Sequence, residues 1–545
     1  MHRKLFIGLA LAALITTLTA RAQSTNQVRS LSLKECVDMA LAHNLNIQIE
    51  RYSPQIASYR LRAAYGAFDP SLDLSASRSF TDQPAQFNEK KYFPPPNPLD
   101  PLGTVPTALL LDNNGVLKTF RVNSEYELTV DSVGSGLSGR LPEGLSYNLF
   151  ARSDYLDART FPSVVDLALL QAGHVSPSLA LPLQTNDYYA TVGIKLKQPL
   201  LKDFWIDRAR ETIQLNKKNV KISELALRDQ LMRTITTVTT AYYDLVFARE
   251  QIQVEKAAMD LAVGLLEFTR RKVEAGTLTM LDQQRADSEV ETIRTALFAA
   301  EQVYAQQANV LKSLLADNYQ PWIDVSILPT DALTPVLDLP SNRAVSWVNA
   351  LNQRPDILQM RLALEKQDII LRFTYNQLFP SLDLIGSYGW QAVDHRFTGS
   401  WSDIGDGGNP FYSVGVVFSI PLGNITARND YKASKLAKQQ SWLQFKKLEQ
   451  DVITEVDTAV KLAETNFKQI TSTHKAAKFA EDAFKSAQKE YEAGTRTSEF
   501  VLEFQDRLTK ARSAEIRALA DYHIALAKLA LSEGTTLEKN QIKFK

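Results

Sequence analysis

Between residues 71 and 80 the side chains alternate in character. Leu72, Leu74, Ala76 and Phe80 fall on one side, and Ser71, Asp73, Ser75, Ser77 and Ser79 on the other. The same period of two returns in 189–197, where Ala190, Val192, Ile194 and Leu196 oppose Thr191, Lys195 and Lys197. It returns again in 381–390 (Leu382, Leu384, Tyr388 and Trp390 against Ser381, Asp383 and Ser387) and in 411–420 (Tyr412, Val414, Val416, Phe418 and Ile420 against Ser413 and Ser419). This spacing predicts strands over 68–80, 188–200, 380–390 and 411–421, each apolar on one face and wet on the other. Elsewhere the period lengthens to seven. Leu231, Val238, Leu245, Ile252, Met259, Leu266 and Val273 form one ladder, and Val456, Ala463, Ile470, Ala477, Phe484 and Tyr491 form a second. A sustained heptad stripe predicts helices in coiled-coil contact. The helices are expected over 207–275 and 426–493, each roughly 100 Å long at 1.5 Å per residue.

The chain is written twice. With an offset of 310, residues 40–77 align without gaps on 350–387, and thirteen positions are identical, including Pro-Ser-Leu-Asp-Leu at 70–74 and 380–384. The offset falls to 222 where Val192-Gly193 answers Val414-Gly415 and Pro199-Leu200 answers Pro421-Leu422. It falls to 218 where Glu274-Ala275-Gly276-Thr277 answers Glu492-Ala493-Gly494-Thr495, and the two heptad ladders superpose at that same offset. The first copy (23–340) therefore carries an insertion of about ninety residues within 81–187 that the second copy (341–545) lacks. Pro94-Pro95-Pro96 and Asn113-Asn114-Gly115 give it loop character, while Tyr126, Leu128 and Val130, followed by Leu145, Tyr147 and Leu149, suggest one further hairpin. Each copy opens with a helix (32–66, 342–377), and each long helix turns at a glycine, Gly276 or Gly494, into a shorter return helix (281–316, 498–532). Two short helices end to end match one long helix in length.

Strands of about ten residues with one apolar face suit a transmembrane barrel. A soluble sandwich would show the same alternation. Phe80, Tyr188, Tyr189, Tyr388, Trp390, Phe411 and Tyr412 cluster at strand ends, where interfacial aromatic girdles sit. Two hairpins cannot close a barrel alone, so a barrel requires subunits to pool strands.

Composition and charge narrow the field. Lys plus Arg equals Asp plus Glu, 61 each, and no basic stripe stands out, so nucleic acid is not an expected partner. His2, Arg3 and Lys4, an apolar run from Leu5 to Ile15, and Ala20-Arg21-Ala22 read as a signal peptide over 1–22, so the protein is exported. The single cysteine, Cys36, reads as packing. Six scattered histidines lack metal-ligand spacing, and no phosphate-binding glycine loop or Gly-x-Ser-x-Gly is present, so no enzyme, cofactor or metal is expected. Gly405-Asp406-Gly407-Gly408 reads as an extracellular turn.

The duplicated order of Phe-Asp-Pro-Ser-Leu-Asp-Leu (68–74), Leu-Phe-Pro-Ser-Leu-Asp-Leu (378–384), the strand ends Gln198-Pro199-Leu200 and Ile420-Pro421-Leu422, and the two Glu-Ala-Gly-Thr turns resembles the outer-membrane efflux protein family, of which TolC is the best-known type, over almost the whole mature chain. The resemblance implies a mixed α and β homotrimer. Each subunit would lend four antiparallel transmembrane strands to one 12-stranded barrel and its coiled-coil helices to a periplasmic α-barrel. It implies a conduit of a tripartite efflux or type I secretion system in the outer membrane, surrounded by lipid and opened by an inner-membrane pump and a periplasmic adaptor. It places adaptor docking at the tip turns, Gly276, Thr277, Gly494 and Thr495. It matches the family's gating residues to Asp282, Tyr491 and Arg496, and one member of an acidic constriction pair to Glu503; the other member falls on Phe500, a departure. Two other readings compete: a periplasmic adaptor, and a structural coiled-coil surface protein.

Overall fold

The computed structural model describes residues 27–91, 119–162, 183–334 and 342–542. The expected signal peptide lies outside the described residues, as do 92–118 and 163–182 of the insertion. In chain order the elements are β1 (Gln27–Leu31), α1 (Leu33–His43), α2 (Leu45–Tyr65), β2 (Ser71–Lys91), β3 (Thr119–Arg140), β4 (Ser146–Pro162), β5 (Leu183–Pro199), α3 (Arg208–Glu274), α4 (Met280–Leu315), β6 (Val325–Pro329), α5 (Arg343–Gln353), α6 (Pro355–Asn376), β7 (Ser381–Asp394), α7 (Phe397–Gly405), β8 (Asn409–Ser419), α8 (Ile425–Glu492), α9 (Ser498–Glu533) and α10 (Thr536–Lys539). They divide into two units. One comprises the chain up to Leu61, Leu215–Asp368 and everything from Leu436; the other comprises Arg62–Gln214 and Ile369–Lys435.

In the first unit the heptad ladders form the core. Val238, Leu245, Val456 and Ala463 are fully buried. Around them Ile47, Tyr242, Leu311, Leu315 and Ile327 make one cluster, and Ala350, Ile357, Val460 and Leu529 make another. β1 and β6 form a parallel pair from Gln27↔Val325 to Leu31↔Pro329. Neither short strand is visible in the sequence, because five residues are too few to show a period.

Each copy's opening helix, expected as one piece, is two. The break falls at Asn44 and at Arg354, both in extended backbone. These positions are 310 apart, the offset of the repeat. In the second copy Pro355 explains the break: it disfavours helical backbone at Arg354 and suits the first position of the next helix. In the first copy the Asn44 amide does it, its Oδ1 accepting from the Asn46 and Ile47 amides and so capping α2. Both breaks are pinned to the end of a return helix. Asn44 Nδ2 donates to the Leu314 carbonyl at 2.9 Å, and Arg354 Nη1 donates to the Ser532 carbonyl at 3.2 Å. Arg51 and Arg361, identical in the two copies, reach back across the breaks to the carbonyls of Leu41 and Leu351 at 2.9 and 3.0 Å. Arg354 is the heavier pin, because its buried guanidinium also pairs with Asp356 at 2.8 Å and Glu455 at 2.9 Å.

The second unit is built on one antiparallel sheet in the order β2-β3-β4-β5-β7-β8. The sheet thus holds six strands, the four flanking strands expected from the periodicity and two more from the insertion. Residues 119–162 supply a full hairpin that lies between β2 and β5 and hydrogen-bonds to both. β2 and β5 are also longer than the periodicity suggested. The connection from β7 to β8, expected as a turn, contains the helix α7, which packs on β5 and β7. Its glycines end it, with Gly407 at φ 109° and Gly408 at φ 33°. Two other glycines sit where strands approach closely: a Cβ at Gly193 would meet the Tyr388 carbonyl at 2.8 Å and the Phe150 ring at 3.1 Å, and one at Gly389 would meet the Val192 carbonyl and the Phe411 ring. Aromatic rings thus cover both glycines.

Removing the Arg354 side chain leaves Glu455, Asp356 and the Ser532 carbonyl without their shared donor. Arg354→Ala is expected to lower stability by roughly 2–3 kcal/mol. Asn44→Ala, which loses a neutral pin and a cap, should cost about 1–2 kcal/mol. Thermal unfolding followed by circular dichroism in detergent measures both, and equal losses would contradict the ranking.

Candidate functional site at the helix turns

The site residues expected from the sequence lie where α3 turns into α4 and α8 turns into α9. Both long helices end in a glycine in the left-handed region, Gly276 at φ 75° and Gly494 at φ 77°. In each turn the threonine after the glycine sends its amide back to the last helical turn, Thr277 to the Lys272 carbonyl and Thr495 to the Glu490 carbonyl, both at 2.9 Å. This is the Schellman closure that glycine permits. The threonine hydroxyls add a second bond to the same carbonyls, at 2.9 and 2.8 Å. Gly276, Thr277, Gly494 and Thr495 are exposed.

Past the threonines the two turns diverge. Thr279 and Asp282 form a capping box on α4, with the Asp282 amide 3.3 Å from Thr279 Oγ1 and the Thr279 amide 3.0 Å from Asp282 Oδ2. The hydrogen bond from the Thr279 hydroxyl, and after it the one from the Thr279 amide, hold the Asp282 carboxyl below its ordinary range. Asp282 is thereby engaged with its own helix. Arg496 pairs instead with Glu490 at 3.0 Å, and its guanidinium lies 4.6 Å from the centre of the Phe500 ring. Glu503 pairs with Arg507 one turn on. Phe500, the departure noted in the sequence, stacks edge-on with Phe504 at 4.7 Å. Within one chain, then, Asp282, Arg496 and Glu503 each hold a local partner.

Tyr491 is placed otherwise. It is 2% exposed, and its hydroxyl lies 2.9 Å from the hydroxyl of Thr269, itself fully buried on α3. The Phe268 ring meets it edge-on at 5.4 Å, and the Lys272 ammonium lies over both rings, at 4.8 Å from Phe268 and 5.6 Å from Tyr491. Burial pushes the Tyr491 phenol above its ordinary range, the Thr269 bond opposes that, and the Asp282 charge adds to it. Two further links join the hairpins: Gln505 Nε2 donates to the Ala258 carbonyl at 2.7 Å, and Arg285 approaches Glu499 at 3.7 Å. Sequence reading missed Thr269 and Gln505. Neither breaks the heptad pattern, and position 269 corresponds to Ala487 in the other copy, so the repeat gives no signal there.

The outer membrane efflux protein family profile matches residues 150–317 and 347–535. The chain belongs to that family. Among curated relatives, a pyoverdine export outer membrane protein, OpmQ of Pseudomonas aeruginosa, is 23% identical over 64% of this chain and 70% of its own length. A probable efflux pump outer membrane protein, TtgC of Pseudomonas putida, is 24% identical over 61% of this chain and 66% of its own length. These alignments span about two thirds of the relatives' lengths. The fold resembles the CmeC outer membrane channel of Campylobacter jejuni, with a TM-score of 0.59 at 16% identity over 92% of this chain and 86% of that one. It also resembles the outer membrane protein VceC of Vibrio cholerae, with a TM-score of 0.60 at 16% identity over 92% and 96%. In this outer-membrane efflux protein the profile match begins at residue 150, within β4, and leaves α1, α2, β2 and β3 outside it.

Thr269→Val and Tyr491→Phe each strand one buried hydroxyl and should each cost about 1–2 kcal/mol, and the double variant should cost no more than either alone. Amide exchange across residues 486–495 reads this; strictly additive losses would mean the two hydroxyls do not act as a pair. The Asp282 cap works the other way with pH. Its carboxyl is depressed, so its contribution is present above the unfolded value of 3.8 and is lost as pH falls below it. The first turn of α4 should fray only on acidification below about pH 4, and in Asp282→Asn it should be frayed already at neutral pH.

Proposed function

We propose that this outer-membrane efflux protein is the homotrimeric exit duct of a tripartite assembly, a passive conduit and not an enzyme, fed by an inner-membrane pump and a periplasmic adaptor. The observation that carries this reading is the two-faced sheet. Most of its exposed apolar side chains share one face, among them Leu72, Leu74, Val133, Leu149, Tyr388, Tyr412, Val414 and Val416. The opposite face carries Ser71, Ser138, Lys195, Lys197, Ser387 and Ser413, with Ile385, Val393 and Val417 among them. A soluble sandwich buries such a belt, whereas a barrel wall turns it to lipid and the polar face to water. Among the described residues no helix is long and apolar enough to cross a membrane. An adaptor or a coiled-coil surface protein has no use for such a sheet.

In this reading the ends of the α3–α4 and α8–α9 hairpins form the periplasmic tip and the docking surface for the adaptor. At rest the tip is closed. Tyr491 holds the second hairpin to α3, while Asp282, half-buried, and Arg496, exposed, are each held locally within the chain and open to a neighbouring copy. Replacing one constriction carboxylate by Phe500 leaves Glu503 as the acidic group facing permeating ions, and its charge is offset by Arg507.

Single-channel recording in planar bilayers tests the duct and the gate together. Wild-type trimers should give small or flickering conductance, and Arg496→Ala with Tyr491→Phe should enlarge it several-fold. Unchanged conductance in the variant would mean the tip is held by other contacts, and no conductance from folded trimers of either form would overturn the duct itself.

A further inference from the structure

The six-stranded sheet has a second consequence. Its register places one side chain of each strand in a continuous row. Leu72 faces Leu137, Leu137 faces Leu149, Leu149 faces Ile194, Ile194 faces Tyr388, and Tyr388 faces Tyr412. All six are apolar and all lie on one face. The neighbouring row, on the opposite face, is Ser71, Ser138, Asn148, Lys195, Ser387 and Ser413, through the same ladders. Both rows pass through β3 and β4 without interruption. A hairpin standing away from the wall would have no reason to share this two-sided pattern in register with the strands beside it, since a slip of one residue reverses every side chain. The hairpin is built as wall.

The two rows end at β2 and β8, the edges of the sheet in one copy. Within the Leu72–Tyr412 row the inner-strand residues are half-covered by neighbours, Leu137 at 37% and Leu149 at 43% exposed, whereas the edge residues stand clear, Leu72 at 67% and Tyr412 at 80%. Six strands alternating in direction leave β2 and β8 antiparallel, so β8 of one copy can continue into β2 of the next in an ordinary antiparallel ladder. No lipid-exposed edge survives in hydrocarbon, so the sheets must close on one another.

We infer that the occupant of each edge is a second copy of this chain joined β8 to β2, and that the inserted hairpin enlarges the barrel to eighteen strands in the trimer proposed above, on which the count of copies rests. Barrel diameter grows roughly linearly with strand number, so the lumen at this level is about 1.5 times as wide as a twelve-stranded wall would make it, within the range that leaves an aqueous channel.

A single-particle reconstruction of the full chain, purified in detergent and placed in lipid nanodiscs, decides it. The expected result is three copies and eighteen strands, with β3 and β4 between β2 and β5. Three copies with twelve strands in the wall, β2 beside β5 and the hairpin projecting from it, would overturn the inference while leaving the trimeric duct intact. A closed ring of six-stranded sheets in another copy number would overturn both the eighteen and the trimer. A monomer with open sheet edges in lipid would overturn edge-to-edge pairing.

Discussion

A backbone amide in hydrocarbon has no water to turn to, and an unsatisfied one costs several kcal/mol. That constraint governs the second unit of this protein. In the proposed barrel its sheet offers lipid a belt of Leu, Val, Tyr and Phe, and among the described residues the outer edges of β2 and β8 pair with no other strand. Burying the belt in protein would remove the need for closure, yet among the described residues nothing in the unit covers it apart from α7, which packs on β5 and β7 near one end. In the proposed barrel, assembly is therefore a condition for the sheet to stand in a membrane. The inserted hairpin obeys the same rule. It adds two strands, an even number, so the edges keep opposite directions and closure by like copies remains geometrically possible.

The first unit solves a different problem, which is to hold very long helices in fixed alignment. A heptad seam sets which faces meet, but it permits sliding by whole heptads. The breaks at Asn44 and Arg354 resist that. Each polar side chain at a break is tied to a carbonyl at the end of a return helix, and the partners Leu314 and Ser532 are separated by 218 residues, the offset that relates the two copies in this region. The duplication has kept the device and varied its chemistry, a neutral amide in one copy and a charged network in the other.

Most of this architecture was legible in the sequence, since it rests on periodicities long enough to count. The four flanking strands, the long helices and both glycine turns fall within a few residues of where the pattern placed them, apart from strands that run further into the insertion. The helix breaks were legible only in part: Pro355 announces one, but Asn44 looks like any helix residue until its partners are known. The role of residues 119–162 was harder still. Their alternation was visible, but a hairpin in the wall and a hairpin beside it have the same sequence, and only register distinguishes them. Near the α8–α9 turn, Tyr491 stands out by its match to the family's gating tyrosine, while the heptad ladder marks it only as a core position. Thr269, whose hydroxyl meets that of Tyr491, belongs to the other copy and is brought close by packing alone.

Seen energetically, the tip is the weak end of a strong bundle. The ion pairs there, Arg496 with Glu490 and Arg285 with Glu499, join side chains that are about half exposed or more, and such pairs contribute at most about 1 kcal/mol each. The apolar cluster of Phe484, Tyr491, Val501 and Leu508 is the buried group beside the α8–α9 turn. Beyond it the turns are held by caps internal to each hairpin, which survive if the hairpins separate. Opening the end thus requires breaking a few contacts between hairpins while leaving every helix intact. Local free energies of that size lie well below the global stability of a domain. Further along the bundle, the buried Arg354 network and the fully buried ladder residues make the same separation far costlier.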